Sequence, residues 1–190
     1  SSVLDDITAD VTIKVINAED MGKIEGDFVI SKNADDELAT ITVPAASVPG
    51  TFVRLVDGNS RTIGATAETA GDNLVITITA DGLKALESGE TELQIVMNAN
   101  DTNSYYTIDA TVWQMIISDE TELLEFSAML DAAASESNAL AGWFLLDDDI
   151  DMSASDHVFG DFAGDPNSRQ GTRYFAGVFD GDGHSITGLK

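Results

Sequence analysis

Residues 74–97 read LVITITADGLKALESGETELQIVM, a stretch in which two runs of alternating apolar and polar residues flank a short turn. The runs at 74–79 and 91–97 have the period of half-buried strands. Between them, Leu83 and Leu86 are three residues apart and share one face of a single helical turn. Gly89 is placed to end that turn. The stretch therefore predicts a strand, a helical turn and a second strand.

Similar strand patterns surround this stretch on both sides. Their residues are mostly β-branched, and turn-forming Gly, Pro, Asn and Asp separate them roughly every ten residues. The further predicted strands lie at 11–15, 28–30, 39–43, 52–56, 61–65 and 105–117. This spacing is typical of a β-sandwich, and residues 1–117 are predicted to form one.

A helical pattern begins directly after the last of these strands. Leu123, Phe126 and Leu130 fall at positions i, i+3 and i+7, which places them on one face of a helix over 118–130. Asp119 and Glu122 have the spacing of a capping box at its start. We therefore predict that a second domain, residues 118–190, opens with this helix.

The rest of the second domain combines short apolar runs with acidic and glycine-rich turns. Trp143-Phe-Leu-Leu146 precedes the acidic run Asp147-Asp-Asp-Ile-Asp-Met152, and residues 153–172 have the composition of a loop. Residues 175–190 read FAGVFDGDGHSITGLK, in which four glycines permit tight turns. Phe179, Ile186 and Leu189 are predicted to stack inward in a coil of short strands.

Residues 76–96 resemble a crossing found in many bacterial immunoglobulin-like modules. In those modules a strand is followed by a turn of the pattern x-x-L-x-x-L-x-x-G and by a second strand, and the leucine turn passes from one sheet to the other. The resemblance implies that the sandwich over 1–117 is immunoglobulin-like.

Residues 118–190 resemble the entry into right-handed parallel β-helices of bacterial surface proteins, including the region that precedes GLUG-type repeats. They are also similar to the N-terminal region of streptococcal immunoglobulin-A-cleaving metalloproteases. Two elements carry this resemblance: Asp149-Ile150-Asp151-Met152, and a final signature formed by Phe175, Gly177, Phe179, Asp180, Gly181, Gly183, His184, Ile186 and Leu189.

The two resemblances together imply the architecture. The fold class is mainly β, with an immunoglobulin-like β-sandwich, a capping helix and the first turns of a parallel β-helix. One or two coil turns cannot bury their apolar faces alone, so the natural protein is expected to continue past Lys190 and this chain to be a fragment. The expected location is extracellular, at a bacterial cell surface.

Charge and composition exclude several classes of partner and site. The 190 residues carry 34 acidic and 9 basic side chains, a formal charge of −25, and no basic residue lies between Lys84 and Arg169. Such a surface repels nucleic acid and anionic lipid. No apolar run is long enough to span a membrane. The absence of cysteine excludes disulfides and thiolate chemistry.

The acidic run at 147–152 is the one candidate metal site. Asp147, Asp149 and Asp151 are close enough in sequence to hold calcium together, and the alternative is a solvated acidic loop. Asp180-Gly-Asp-Gly-His184 starts like a calcium loop, but His184 replaces the third oxygen ligand. The two histidines, His157 and His184, do not have the spacing of a zinc site. No cofactor other than calcium is considered.

These observations predict a non-catalytic structural or adhesive segment, and therefore not an enzyme. The expected partner is a host or matrix protein or a glycan, together with self-association through 175–190. One alternative is a carbohydrate-binding or carbohydrate-processing β-helix, for which the candidate aromatic platforms are Trp113, Trp143, Tyr105, Tyr106 and Tyr174. A second alternative is an ancillary region of a secreted protease, whose catalytic residues would lie outside this chain.

Overall fold

Strands dominate the computed structural model, which describes residues 22–33, 39–135, 140–157 and 175–190. The predicted mainly β class is confirmed over these ranges, which contain fourteen strands and two α-helices. The strand predicted at 11–15 and Tyr174 lie outside the described residues.

The first part of the chain contributes two sheets. Its elements, in chain order, are β1 (Gly22–Lys23), β2 (Phe28–Ser31), β3 (Thr40–Pro44), β4 (Thr51–Asp57), β5 (Thr62–Ile63), β6 (Ala65–Ala70), β7 (Asn73–Ile78), α1 (Ala80–Ala85), β8 (Gly89–Ala99) and β9 (Thr102–Trp113). One sheet has the order β1-β9-β8-β4-β5, with β2 also paired to β9, and the other has the order β3-β7-β6. β1 and β2 run parallel to β9, and the remaining pairs of both sheets are antiparallel.

Side chains from both sheets form a single core. Ile41 and Ile76 come from the three-stranded sheet, and Leu93 and Ile108 from the larger one, each with at most 1% of its surface exposed. In β7 the predicted alternation is observed, because Leu74, Ile76 and Ile78 are buried while the residues between them are partly exposed. Apolar burial by these alternating positions is what holds the two sheets together.

The leucine turn predicted between β7 and β8 is present as α1. Its N-terminus is capped by Thr79, whose Oγ1 accepts a hydrogen bond from the Gly82 N–H at 3.2 Å. Leu86 is buried and Leu83 packs against the same core. The predicted end was wrong: the helix finishes before Leu86, and Gly89 instead begins β8 with a φ of +127°.

The strand predicted over 105–117 is divided in the structure. β9 ends at Trp113, and a separate strand, β10 (Met115–Ile117), follows Gln114. All three residues of β10 are buried, and Met115 and Ile117 belong to a second core. A short run buried on both faces has no alternation that would reveal the break. The domain boundary at 117 stays a prediction, although this second core already includes Met115.

The second part consists of one helix and short parallel strands. After β10 come α2 (Glu120–Ser135), β11 (Trp143–Leu146), β12 (Ile150–Asp151), β13 (Val178–Asp180) and β14 (Ile186–Thr187). One sheet has the order β10-β11-β13 and the other pairs β12 with β14, all in parallel. Within the described ranges, no sheet closes into a barrel or extends as a solenoid.

The helix predicted at 118–130 is confirmed and extends further, to Ser135. Asp119 Oδ1 accepts from the Glu122 N–H at 2.9 Å, and Glu122 Oε2 accepts from the Ser118 N–H at 2.7 Å. Leu123 and Phe126 are buried in the second core, with Leu130 packed at its margin. The apolar face of α2 therefore covers the parallel strands, as the spacing predicted.

Candidate functional site

Two carboxylates of the acidic run connect β12 to β14. Asp149 Oδ1 accepts hydrogen bonds from the backbone N–H and the hydroxyl of Ser185, at 2.7 and 3.0 Å. Asp151 Oδ1 accepts from the Ser153 N–H at 2.9 Å and from Thr187 Oγ1 at 3.4 Å. Both hydrogen bonds from Ser185 lower the pKa of Asp149, and the one from the backbone N–H has the larger effect. Asp149 therefore favours the ionised form and joins strands that are distant in sequence.

The predicted calcium ligands do not converge in the described part of the chain. The Asp147 backbone N–H donates a hydrogen bond to the Ile117 carbonyl at 2.9 Å, so Asp147 is bound to the end of β10. No group of three or more Asp, Glu or His side chains in the described ranges is arranged to hold a metal ion. The calcium site stays a prediction, and the hydrogen bonds of Asp149 and Asp151 give these carboxylates a structural role.

The Asp149 contact predicts acid sensitivity. Its folded-state pKa lies below the ordinary 3.8, so the unfolded chain binds the proton more readily. The stabilisation is complete above that value and is lost as the pH falls through the lowered folded-state pKa. We expect the melting temperature of the wild type to fall on acidification below 3.8, and Asp149→Asn to show a shallower dependence.

Asp148→Asn is the matched control, since the Asp148 carboxylate accepts from its neighbour Asp149 at 2.7 Å rather than from β14. Melting curves recorded by circular dichroism over an acid-to-neutral series measure the effect. Parallel curves for the wild type and Asp149→Asn would contradict it.

The two histidines lie in separate environments. His184 belongs to the turn between β13 and β14, where its N–H donates to the Gly181 carbonyl at 2.7 Å and its Nδ1 lies 3.8 Å from Asp149 Oδ1. His157 Nε2 lies 2.9 Å from Ser127 Oγ on α2. Sequence reasoning missed this pair, because 30 residues separate its members and no motif marks them.

The Ser127–His157 pair has the atoms of a nucleophile and a base, yet its position indicates a different role. Ser127 is only 3% exposed, within the covered face of α2. A buried hydroxyl cannot meet a substrate, and a buried polar group is stabilised by the bond it makes. The contact fastens the segment after β12 to the helix.

Large apolar side chains are exposed where the parallel strands end. We name this surface, formed by Phe175, Phe179 and Leu189 beside β13 and β14, the open end. The three residues expose 39%, 37% and 50% of their surface. Phe179 contacts the Phe126 ring at a centroid distance of 5.4 Å, so it faces the second core and is exposed only on its far side. Phe179 therefore packs inward as predicted but stays partly exposed, and Leu189 is half exposed.

A short internal repeat accounts for the parallel pairing of these strands. Ala141-Gly-Trp-Phe144 and Ala176-Gly-Val-Phe179 share the pattern A-G-x-F. The structure pairs Trp143 with Val178 and Phe144 with Phe179 in register. Sequence reasoning missed the repeat, although it was the signal that could have identified which strands pair.

The two cores are connected at Trp143. Its ring packs against Trp113 with centroids 5.7 Å apart, which places Trp113 in the interior as a core residue. The backbone N–H of Trp143 donates to Ser88 Oγ at 3.2 Å, and the backbone carbonyl of Trp143 accepts from the Gln114 N–H at 2.7 Å. Of the other predicted aromatic platforms, Tyr105 and Tyr106 are both half-buried on β9, and Tyr106 packs on the first core.

Asn33 occupies one edge of β10. Its Nδ2 donates to the Ile116 carbonyl and its Oδ1 accepts from the Ile116 N–H, both at 3.1 Å. Alternate residues of a strand direct their backbone groups to opposite edges, and Met115 and Ile117 serve the edge paired with β11. The Asn33 amide therefore takes the place of a neighbouring strand on the other edge.

Comparison with protein-family models, with curated proteins and with solved structures finds no match to this chain. None of the helices in the described ranges has the length and apolar character needed to cross a membrane.

Proposed function

We propose that this chain is a non-catalytic structural or adhesive segment of an extracellular bacterial surface protein. In this proposal an immunoglobulin-like sandwich carries a capping helix and the first turns of a GLUG-type right-handed parallel β-helix. The role of the segment is to hold stacked chain turns at a fixed position beside the sandwich and to present them to a partner.

One observation carries the proposal: two separate parallel strand pairs recur at nearly the same spacing. Trp143 pairs with Val178, 35 residues on, and Ile150 pairs with Ile186, 36 residues on. The common spacing brings residues 140–151 beside residues 175–187, the arrangement expected where one turn of a coil follows another. Stacking of similar chain turns is the construction principle of solenoid proteins.

The contacts between the two turns support a structural role for this segment. Asp149 bonds to Ser185 and Asp151 to Thr187, which adds side-chain bonds to the β12–β14 backbone ladder. α2 covers the apolar interior of the turns through Leu123 and Phe126. The large negative charge fits an exported and highly soluble surface, because net charge far from zero opposes aggregation.

The open end gives the proposal a test, since a strand edge beside exposed apolar side chains is a template for further pairing. The occupant we propose is the open end of a second copy, because the outer edge of β13 in each copy carries backbone groups that the same edge of the other copy can pair with. We expect the wild-type chain to associate reversibly as its concentration rises, at physiological ionic strength, where the Debye length is about 8 Å.

Leu189→Asp is expected to weaken this association about tenfold, because it places an unpaired charge in the contact. Val53→Asp is the matched control, since Val53 on β4 is exposed to a similar degree, 44%, but lies on the first sheet. Sedimentation velocity measures both variants. A wild type that stays monomeric at every concentration, or an equal loss in both variants, would overturn the proposed pairing.

A further inference from the structure

A groove lies between the two parts of the chain, on the side of α1 and Trp143. It encloses about 650 Å³ and is lined by Lys32, Arg61 and Lys84 together with Glu87, Ser88, Trp143 and Val178. The first part supplies all the charged residues, and the second part supplies Trp143, Val178 and small residues. The groove exists because the Trp143 contacts hold β11 beside the end of α1.

This groove gathers basic side chains in a strongly acidic chain. The described ranges contain six Lys and Arg residues, and three of them line the groove. Glu87 is the one acidic residue of the lining, while Asp57 and Asp81 pair with Arg61 and Lys84 from just outside it, at 2.7 and 4.0 Å. An anion approaching the molecule is repelled by most of its surface and meets ammonium and guanidinium donors here.

Two of the three basic side chains are held in place by the fold. Arg61 Nε donates to Asp57 Oδ2 at 2.7 Å, and Asp57 is 5% exposed and also accepts from the backbone of Arg61 and Asn59. Lys32 Nζ donates to the Leu86 carbonyl at 2.8 Å. Side chains that are already fixed lose little conformational entropy when a ligand binds.

We propose that this groove binds an acidic saccharide, with the anionic group beside Lys32, Arg61 and Lys84 and the sugar ring against Trp143 and Val178. A carboxylate or a sulfate accepts hydrogen bonds from ammonium and guanidinium groups. The apolar face of a pyranose ring packs on aromatic and aliphatic side chains, and Ser88 provides a hydroxyl at the boundary between the two halves. The inference goes beyond the proposed structural role, because the open end contributes no residue to this lining.

The test uses the whole chain and three probes: a glucuronate-containing disaccharide, its sulfated analogue, and the neutral glucose counterpart. Isothermal titration and tryptophan fluorescence report binding near Trp143. We expect both acidic probes to bind with Kd values of about a millimolar, the neutral one at least about tenfold more weakly, and added salt to weaken the acidic probes. Preference for one acidic probe identifies the anionic group.

Two exposed side chains allow variants that leave the fold intact. Lys84 and Glu87 expose 80% and 82% of their side chains. Lys84→Gln is expected to weaken binding about threefold and Glu87→Gln to strengthen it by a similar factor, as is usual for one exposed charge. Lys23→Gln is the control, because Lys23 pairs with Asp109 outside the groove.

Several results would overturn the inference: no saturable binding of either acidic probe, equal binding of the neutral probe, or an equal effect of Lys23→Gln. Leu189→Asp separates this inference from the proposed stacking. If Leu189→Asp no longer associates but still binds the saccharide, the substitution affects only the open end. If it still associates but no longer binds the saccharide, the ligand site lies outside the groove.

Discussion

Phe144→Ala is expected to lower the free energy of unfolding of the second part by about 3–5 kcal/mol. Phe144 is fully buried at the centre of the second core, and its ring contacts those of Phe126 and Phe175 at 4.9 and 5.7 Å. The substitution leaves a cavity whose walls belong to α2 and to the parallel strands. Urea denaturation followed by tryptophan fluorescence measures the loss, since Trp143 is the adjacent residue.

Phe175→Ala is the matched control for this prediction. Phe175 belongs to the same ring cluster but exposes 39% of its surface, so less apolar area returns to water when it is truncated. We expect Phe175→Ala to lower the free energy of unfolding by less than half as much as Phe144→Ala does. Equal losses would mean that the second core does not depend on the buried ring.

Gly177→Ala is expected to destabilise the stacked turns by roughly 1–3 kcal/mol, the range for overpacking at a site that cannot relax freely. A Cβ at this position would lie 2.2 Å from the Gly142 carbonyl oxygen, which is part of the backbone of the preceding turn. The Val178 N–H donates to that same carbonyl at 2.8 Å, so the two turns cannot separate without breaking the bond.

Gly181→Ala provides the comparison for Gly177→Ala, since a Cβ there would approach the His184 carbonyl oxygen only to 3.9 Å. We expect this variant to change the free energy of unfolding by less than about 1 kcal/mol. Urea midpoints compare the two variants directly. If Gly177→Ala unfolds at the wild-type midpoint, the two turns are not in the close contact described.

In the first part, the strands could be predicted from the sequence wherever one face of the strand is exposed to water. Leu74, Ile76 and Ile78 alternate with polar residues because β7 has one buried face, and this period can be read from the sequence. Leu83 and Leu86 likewise identified α1. The end of α1 was misplaced because Gly89 is needed by β8, where its φ of +127° favours a residue without a side chain.

The second part was less predictable from periodicity because its strands are short and buried on both faces. β10 has three buried residues in succession and no alternation. Its partner β11 begins 26 residues after β10 ends, a distance over which local patterns carry no information about pairing. The repeated A-G-x-F pattern contained such information for the pairing of β11 with β13, but no repeat marks β10.

The groove could not be predicted from the sequence at all. Lys32 follows β2, Arg61 precedes β5 and Lys84 lies in α1, and each of them alone is an ordinary surface cation. Their proximity arises from the packing of α1 against the larger sheet. The acidic run, by contrast, was conspicuous in sequence, but its carboxylates are engaged by Ser185, Ser153 and Thr187.

The position of Asn33 limits how large an assembly of this chain can become. In the proposed association, and among the described residues, the Asn33 amide occupies one edge of β10, so the ladder β10-β11-β13 offers a new strand the outer edge of β13. Two copies that meet through identical surfaces leave no such surface free, so the geometry is that of a closed pair rather than a fibre. Asn33→Ala would uncover the second edge, and a contact from β13 of one copy to β10 of the next would then be a head-to-tail contact that need not close on itself.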